Sequence, residues 1–166
     1  MVKKIIIEKT LKRLRRLFMT RAGDSRDQLL YSKLAILEFC GWIEDSMDDI
    51  VNKYTNRKLK MPENVQYFTK EIVKHISGFE YNLHFRKLMV GAVGIVRLEV
   101  IERNIDVSIL APFKATLNAL KLIRDPLAHT HLIGIIQIDS PDMILRYLEI
   151  VYKGLKEYER GLGVRP

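Results

Sequence analysis

Residues 124–129 read RDPLAH, so an arginine and a histidine lie five positions apart at the end of an apolar helical stretch. A guanidinium binds phosphate through parallel hydrogen bonds, and an imidazole exchanges protons near neutral pH. The two groups suffice to cleave RNA, because His129 can take the proton of a ribose 2′-hydroxyl while Arg124 stabilises the charge that develops on phosphorus. DNA lacks this hydroxyl, so the pair predicts cleavage of RNA that needs no metal and no cofactor.

Pro126 decides whether these two side chains meet. A residue that precedes proline avoids the α conformation, and proline is well placed at the first position of a helix. We therefore predict a break at Asp125, which would cap a new helix starting at Pro126 and bring His129 beside Arg124. On an unbroken helix, positions 124 and 129 would lie about 140° apart around the axis.

Two alternatives stay open at this motif. His131 also fits a looser form of the spacing, and at most one histidine faces the arginine, because two positions on a helix lie about 200° apart. We favour His129. In the second alternative, Arg124 pairs with an acidic helix and His129 is an ordinary helix residue, since the spacing alone is common by chance.

The N-terminus is predicted to form a basic helix. Residues 1–26 hold nine Lys and Arg residues and two acidic residues, so +7 of the net charge of +8 falls there. An apolar face follows the helical period at Ile7, Leu11, Leu14 and Phe18. The other side carries Lys12, Arg13, Arg15 and Arg16. We predict an amphipathic helical arm over residues 1–22 that binds RNA phosphates; a dimer arm, a membrane-binding helix and an ordinary exposed helix are the alternatives.

Bulk composition predicts a single domain over residues 1–166. The only cysteine, Cys40, lies in an apolar run, so no disulfide can form within the chain and a buried thiol is expected. The apolar run near the start is three isoleucines, against roughly 7–15 residues in a signal peptide, and no stretch reaches the ~18 apolar residues of a membrane span. We predict a soluble, cytoplasmic protein without a membrane partner.

Helical periodicity runs through most of the chain and predicts an all-α bundle of five or six helices. Besides the N-terminal helix, helices are expected at about 26–58, 63–77, 83–101, 108–123 and 141–159, with Asp24 or Ser25 capping the first of these and Ser140-Pro141 starting the last. The helix at 83–101 is expected to be buried and central. A β-prone connector follows the RDPLAH motif, and residues 160–166 are expected to form a flexible tail.

Carboxylates line the outer side of the second helix, at Glu38, Glu44, Asp45, Asp48 and Asp49. A metal-binding face is one interpretation, and a solvated helix side is the one we favour. In a third interpretation, Glu38 or Asp45 reaches across the bundle to orient Arg124 or His129.

The sequence LNALKLIRDPLAHTHL resembles the signature of the HEPN superfamily, in which an arginine and a polar residue are followed by a histidine after four to six intervening residues. Arg124, Asp125 and His129 match the three positions. The HEPN subgroup found with RiboL-PSP proteins is the most similar, through LEFCGWIEDSMDDIV in the second helix and IDSPDMILRYLEIV after the motif. The length and the helical order fit a match over the whole chain.

The resemblance implies a compact helical bundle and a metal-independent endoribonuclease of toxin–antitoxin, abortive-infection or antiviral systems. Two protomers would pair so that both Arg/His sets line one cleft, because one histidine per chain supplies only one of the acid and base that the reaction needs. An antitoxin or another regulatory protein is an expected partner. Some HEPN toxins carry a tyrosine where this chain has His131, so regulation by modification of that tyrosine is not expected. The main rival is a non-catalytic HEPN module that binds RNA or protein.

Overall fold

The computed structural model describes residues 2–21, 24–129 and 138–163, and it describes His129 by its backbone alone. Over these residues the chain forms six α-helices and no strand, which confirms the all-α prediction. The helices are α1 (Ile5–Thr20), α2 (Ser25–Lys58), α3 (Pro62–Tyr67), α4 (Arg86–Arg103), α5 (Val107–His129) and α6 (Pro141–Gly161). Two π-helical segments, Phe68–Val73 and Tyr81–Phe85, lie between α3 and α4.

The N-terminal helix is part of the bundle rather than a projecting arm. Ile7, Leu11 and Leu14 are buried as the apolar face predicts, and α1 packs against both α2 and α6. The turn into α2 is also as predicted, because the Asp24 carboxylate accepts hydrogen bonds from the backbone N–H groups of Arg26 and Asp27 at 3.0 and 3.1 Å. The basic side of α1 therefore faces away from a well-packed apolar stripe.

The central helix of the bundle is α2, which packs against α1, α4, α5 and α6. We predicted that the helix over 83–101 would be central and buried, and this is wrong. That region is the π-helical segment Tyr81–Phe85 followed by α4, which has a non-helical residue, Gly94, at φ 76°. Glycine tolerates this positive φ because it has no Cβ. Beyond Gly94, Val96 and Val100 are exposed.

The helix predicted over 63–77 is shorter and less regular than expected. α3 ends at Tyr67, and the chain continues as a π-helical segment to Val73 before it bends at Gly78, whose φ of 123° suits glycine alone. A Cβ at Gly78 would lie 2.9 Å from atoms of the His84 ring, so the glycine also permits a close approach. The bend places the segment Tyr81–Phe85 on the core.

An aromatic cluster fixes this second π-helical segment. The rings of Tyr81, Phe85, Phe113 and Tyr158 pack against one another, mostly edge to face, with centroids 4.8 to 6.3 Å apart. The hydroxyl groups of Tyr81 and Tyr158 share a hydrogen bond of 2.8 Å. Burial raises the pKa of Tyr158, so this phenol stays protonated. The segment is thereby held between α5 and α6, with His84 next to the anchored Phe85.

Helix α5 does not break at Asp125, contrary to our prediction. It continues through Pro126 to His129, and the Asp125 side chain binds Lys121 and Arg124 instead of capping a new helix. Leu127, which is 3% exposed, belongs to the apolar core. Burial of this side chain stabilises the turn after the proline and offsets part of the local cost of the proline within the helix.

The last helix begins as predicted and ends later. Ser140 precedes Pro141 at the start of α6, which continues to Gly161, and Leu162 beyond it is only 2% exposed. The flexible tail predicted over 160–166 is therefore wrong in its first residues. The β-prone connector predicted after the RDPLAH motif falls on residues 130–137, which lie outside the described part of the chain.

Candidate functional site

Arg124 lies on the buried stripe of α5. Phe113, Leu117, Leu120 and Leu127 follow one another at spacings of four, three and seven residues and are at most 3% exposed. Position 124 falls between the last two on the same stripe, where an apolar side chain would be expected. The Arg124 side chain is nevertheless 31% exposed, so its guanidinium lies at the edge of the core.

Two carboxylates hold this guanidinium. Its Nη2 donates to Glu44 Oε1 of α2 at 3.3 Å, and its Nη1 donates to Asp125 Oδ1 at 3.2 Å. Lys121, one turn earlier on α5, also donates to Asp125. The hydrogen bond from Lys121, and then that from Arg124, lowers the pKa of Asp125, so this carboxyl is ionised at neutral pH.

The acidic partner of Arg124 is Glu44, and neither Glu38 nor Asp45, which we had considered, takes this part. Both of these are exposed, whereas Glu44 lies half-buried beside α5. Arg124 thus does pair with the acidic helix, as the alternative interpretation of the motif held. This pairing fixes the orientation of the guanidinium.

Below this ion pair lies Cys40, one turn before Glu44 on α2. It is 1% exposed, and burial raises the pKa of its thiol to about 12. A thiol with this pKa stays protonated at physiological pH and is a poor nucleophile. Cys40 is therefore a packing residue, as its sequence context predicts.

A histidine that the sequence analysis did not single out, His84, is half-buried on the second π-helical segment. The charges of Lys121 and Glu44 both act on the His84 ring. Its Nδ1 is buried and has no hydrogen-bond partner in the described part of the chain. Burial, above all, lowers the pKa of His84, so the ring is neutral at pH 7.

The structure leaves the two histidines of the motif largely undescribed. His131 and the His129 side chain lie outside the described part of the chain. The backbone of α5 is helical from Arg124 to His129, so the two positions lie about 140° apart around its axis. The convergence that we predicted from a break at Asp125 is therefore not produced by the backbone of α5.

The four predicted RNA-binding residues of α1, Lys12, Arg13, Arg15 and Arg16, are all exposed. Two of them form ion pairs, Lys12 with Glu8 and Arg15 with Asp142, each at 2.6 Å. Arg13 and Arg16 form no ion pair with the described residues. We call this exposed side of α1 the basic face, and it presents two uncommitted guanidinium groups to solvent.

Within the described residues, no group of three or more His, Cys, Asp or Glu side chains comes together as a metal site, and no helix has the length and apolar character of a membrane span. Comparison with protein-family models, curated proteins and solved structures finds no match for this chain. The similarity to the HEPN superfamily therefore stays a prediction.

Proposed function

We propose that this chain is a metal-independent endoribonuclease of the HEPN type that cuts single-stranded RNA, leaving a 2′,3′-cyclic phosphate and a 5′-hydroxyl. We further propose that it acts as a toxin or as an antiviral effector whose activity a partner protein restrains. The observation that carries the proposal is the arginine on the apolar stripe of α5, at the edge of the core and oriented by carboxylates from two helices.

Partial burial of Arg124 is costly. Moving a charge out of water requires compensation, and an apolar side chain at position 124 would complete the stripe at no such cost. The fold instead provides Glu44 and Asp125 to stabilise the guanidinium. A side chain that is accommodated in this way and still 31% exposed is suited to a ligand that arrives from solvent.

The guanidinium keeps donors for such a ligand. It carries five N–H groups, and the bonds to Glu44 and Asp125 use one on each Nη. A phosphate can therefore bind to Arg124 without first displacing both carboxylates. In the reaction, Arg124 stabilises the charge on phosphorus, Asp125 orients the guanidinium, and His129 moves protons. The basic face of α1 binds RNA phosphates outside the reacting group.

Incubation of the purified protein with total RNA in EDTA tests this proposal. We expect the wild type to cleave the RNA to cyclic-phosphate ends and His129→Ala to lose at least about 100-fold of the rate. His75→Ala is the matched control, since His75 is exposed and bonded only to the Lys70 carbonyl oxygen among described atoms. No cleavage by the wild type, or equal cleavage by His129→Ala, would exclude the nuclease.

A non-catalytic RNA-binding module is the second candidate. The observation in its favour is that Arg124 is already neutralised by two carboxylates, while Arg13 and Arg16 on the basic face are uncommitted. Under this alternative, filter binding in EDTA would show retention of intact RNA, weakened by salt and by loss of Arg13 and Arg16 and unaffected by His129→Ala.

A further inference from the structure

We propose that a groove beyond the C-terminal end of α2 binds the phosphate backbone of single-stranded RNA, at a surface separate from both Arg124 and the basic face of α1. The groove is formed by the chain that leads into α3, by α3 itself and by the first π-helical segment, and its volume is about 540 Å³. We call it the lysine groove. Its lining consists of three lysines, Lys60, Lys70 and Lys74, the neutral polar side chains Gln66 and Thr69, and the apolar Pro62 and Val65. The inference extends the proposed function, because it rests on RNA as the ligand but not on RNA cleavage.

The three lysines of the groove are exposed, and they form no ion pair within the described part of the chain. Other lysines of the fold pair with a carboxylate instead, as do Lys4, Lys12, Lys53, Lys114, Lys121 and Lys156. Among the described residues, no acidic side chain lines the groove. Three positive charges therefore share one concave surface without a counter-charge from the protein, and this arrangement attracts a polyanion.

Buried side chains fix the shape of the lysine groove. Phe68 and Val73, at the two ends of the first π-helical segment, are only 4% and 6% exposed. Ile72 of the same segment packs on Gly91 of α4, where a Cβ would lie 2.9 Å from the Ile72 Cγ2 atom. The lysines on this side of the groove therefore project from a backbone that is held on the core. A surface ordered before binding loses less conformational entropy when the ligand arrives.

The lining favours a nucleic-acid strand over a lipid surface. Binding to a membrane interface needs apolar side chains that enter the lipid, whereas the apolar part of the lining is Pro62 and the half-buried Val65. Met61 and Tyr67 are exposed and adjacent in sequence, but they do not line the groove. The polar members of the lining suit a strand, because ammonium groups neutralise phosphates and neutral polar groups can bond to ribose or base.

The lysines also predict how the strand is bound. An ammonium group acts as a point charge that carries no information about the base sequence. We therefore expect an affinity that falls with salt and differs little between RNA sequences. The groove would hold the strand while the Arg124 site acts on one phosphate.

The test measures the affinity of the full-length protein for a single-stranded 2′-O-methyl oligouridine, which cannot be cleaved because its 2′-hydroxyls are blocked. We expect Lys70→Gln/Lys74→Gln to bind about tenfold more weakly at moderate salt and to make the slope of log K against log salt shallower by about 1.4. Lys70→Arg/Lys74→Arg keeps both charges and should bind within about twofold of the wild type.

The matched control is Arg97→Gln/Lys153→Gln. These two cations are exposed on α4 and α6, do not line the lysine groove and pair with no described carboxylate. Their removal changes the net charge by the same amount and should leave the affinity within about twofold of the wild type. Should Lys70→Gln/Lys74→Gln fold poorly, Lys60→Gln decides, because position 60 lies outside the helices. Its affinity should fall about threefold and its salt slope by about 0.7.

Each outcome supports or overturns the assignment. Equal losses in Lys70→Gln/Lys74→Gln and in the control would show that net charge alone matters, and would overturn it. The same holds if the variant keeps its affinity for the oligonucleotide but no longer binds vesicles of equal phosphatidylserine and phosphatidylcholine that the wild type binds, since the groove would then be a membrane surface.

The groove and the nuclease can fail separately. If the wild type cleaves RNA and Lys70→Gln/Lys74→Gln binds the oligonucleotide as the wild type does, the groove is overturned and the nuclease stands. If the wild type binds the oligonucleotide through these lysines and cleaves no RNA, the groove stands and the nuclease is overturned.

Discussion

Arginine side chains serve opposite purposes in two regions of the molecule. One is the Arg124 cluster, formed by Arg124, Glu44, Asp125 and Lys121, and the other is the basic face of α1. Arg124 is half-buried and bonded to Glu44 and Asp125, whereas Arg13 and Arg16 are exposed and uncommitted among the described residues. Ion pairs at the edge of a core are short-range and weakly screened, but exposed charges act over about 10 Å and are screened by salt. The first region is suited to orienting one phosphate, and the second to attracting a polyanion.

The two regions should also differ in what a substitution changes, which is the free energy of unfolding in the first and the affinity for RNA in the second. The Arg124 cluster is built on buried residues of α2 and α5, so substitutions beneath it should change the free energy of unfolding. The cations of the basic face are exposed, and the buried residues of α1 are Ile7, Leu11 and Leu14. Their replacement should change RNA binding and leave the fold intact.

The largest effect is expected for Leu127→Ala. Leu127 is 3% exposed and stabilises the last turn of α5 after Pro126. Truncation should lower the free energy of unfolding by about 2 to 5 kcal/mol, measured by urea denaturation. Leu122→Ala is the matched control on the same helix, because Leu122 is 77% exposed and its loss should cost little. Equal effects of the two variants would mean that burial of Leu127 is not what keeps α5 continuous.

The second-largest effect is expected for the double variant Arg13→Gln/Arg16→Gln. Loss of two phosphate contacts is expected to weaken RNA binding by about tenfold at moderate salt and to make the slope of log K against log salt shallower by about 1.4. Filter binding over a salt series measures both quantities, and unfolding by urea should match the wild type. An unchanged slope would remove the basic face from the RNA interface.

The smallest effect concerns Asp48, one turn after Glu44 on α2. Burial, and then Asp45 and Glu44, raises the pKa of Asp48 to about 6. The folded state therefore holds this proton more tightly than the unfolded state, and the wild type should lose stability as pH rises from about 4 to about 6. Asp48→Asn should lack this loss.

Because Asp48 is partly exposed, solvent screening limits the expected gain at pH 7 to about 1 kcal/mol or less. Urea denaturation at pH 4, 5, 6 and 7 measures the difference, with Glu38→Gln, an exposed carboxyl of the same helix that does not act on Asp48, as control. If the free energy of unfolding of Asp48→Asn changes with pH as that of the wild type does, the pKa of Asp48 is not raised in the folded state.

The sequence predicts the ends of helices correctly where a few adjacent residues determine them. The Asp24 cap, the limits of α2 and the Ser140-Pro141 start of α6 each follow from a few adjacent residues, and each is confirmed. The break expected at Asp125 from the local preference of an X-Pro pair does not occur, and the turn after it is stabilised by a distant contribution, the burial of Leu127 against the core.

At the candidate site, too, contacts between distant parts of the chain are not fully predicted from the sequence. The sequence singled out Arg124 and Asp125 and considered an acidic partner from the second helix, which the structure identifies as Glu44. It did not predict the position of the half-buried His84, which no period or motif fixes. The bend at Gly78 and the anchoring of Tyr81 and Phe85 fix the position of this histidine, and both are products of tertiary packing. A non-helical residue within α4, Gly94, was likewise invisible to periodicity.

The most direct test of the account asks whether Arg124 is kept for phosphate chemistry or for folding, and Arg124→Met answers it in one pair of measurements. Glu44 and Asp125 are 30% and 41% exposed, so both can be hydrated again when the guanidinium is removed. We expect the free energy of unfolding to stay within about 1 kcal/mol of the wild type and cleavage of RNA in EDTA to fall by about 100- to 1,000-fold. A variant that is strongly destabilised and cleaves RNA at the wild-type rate per folded molecule would contradict the account.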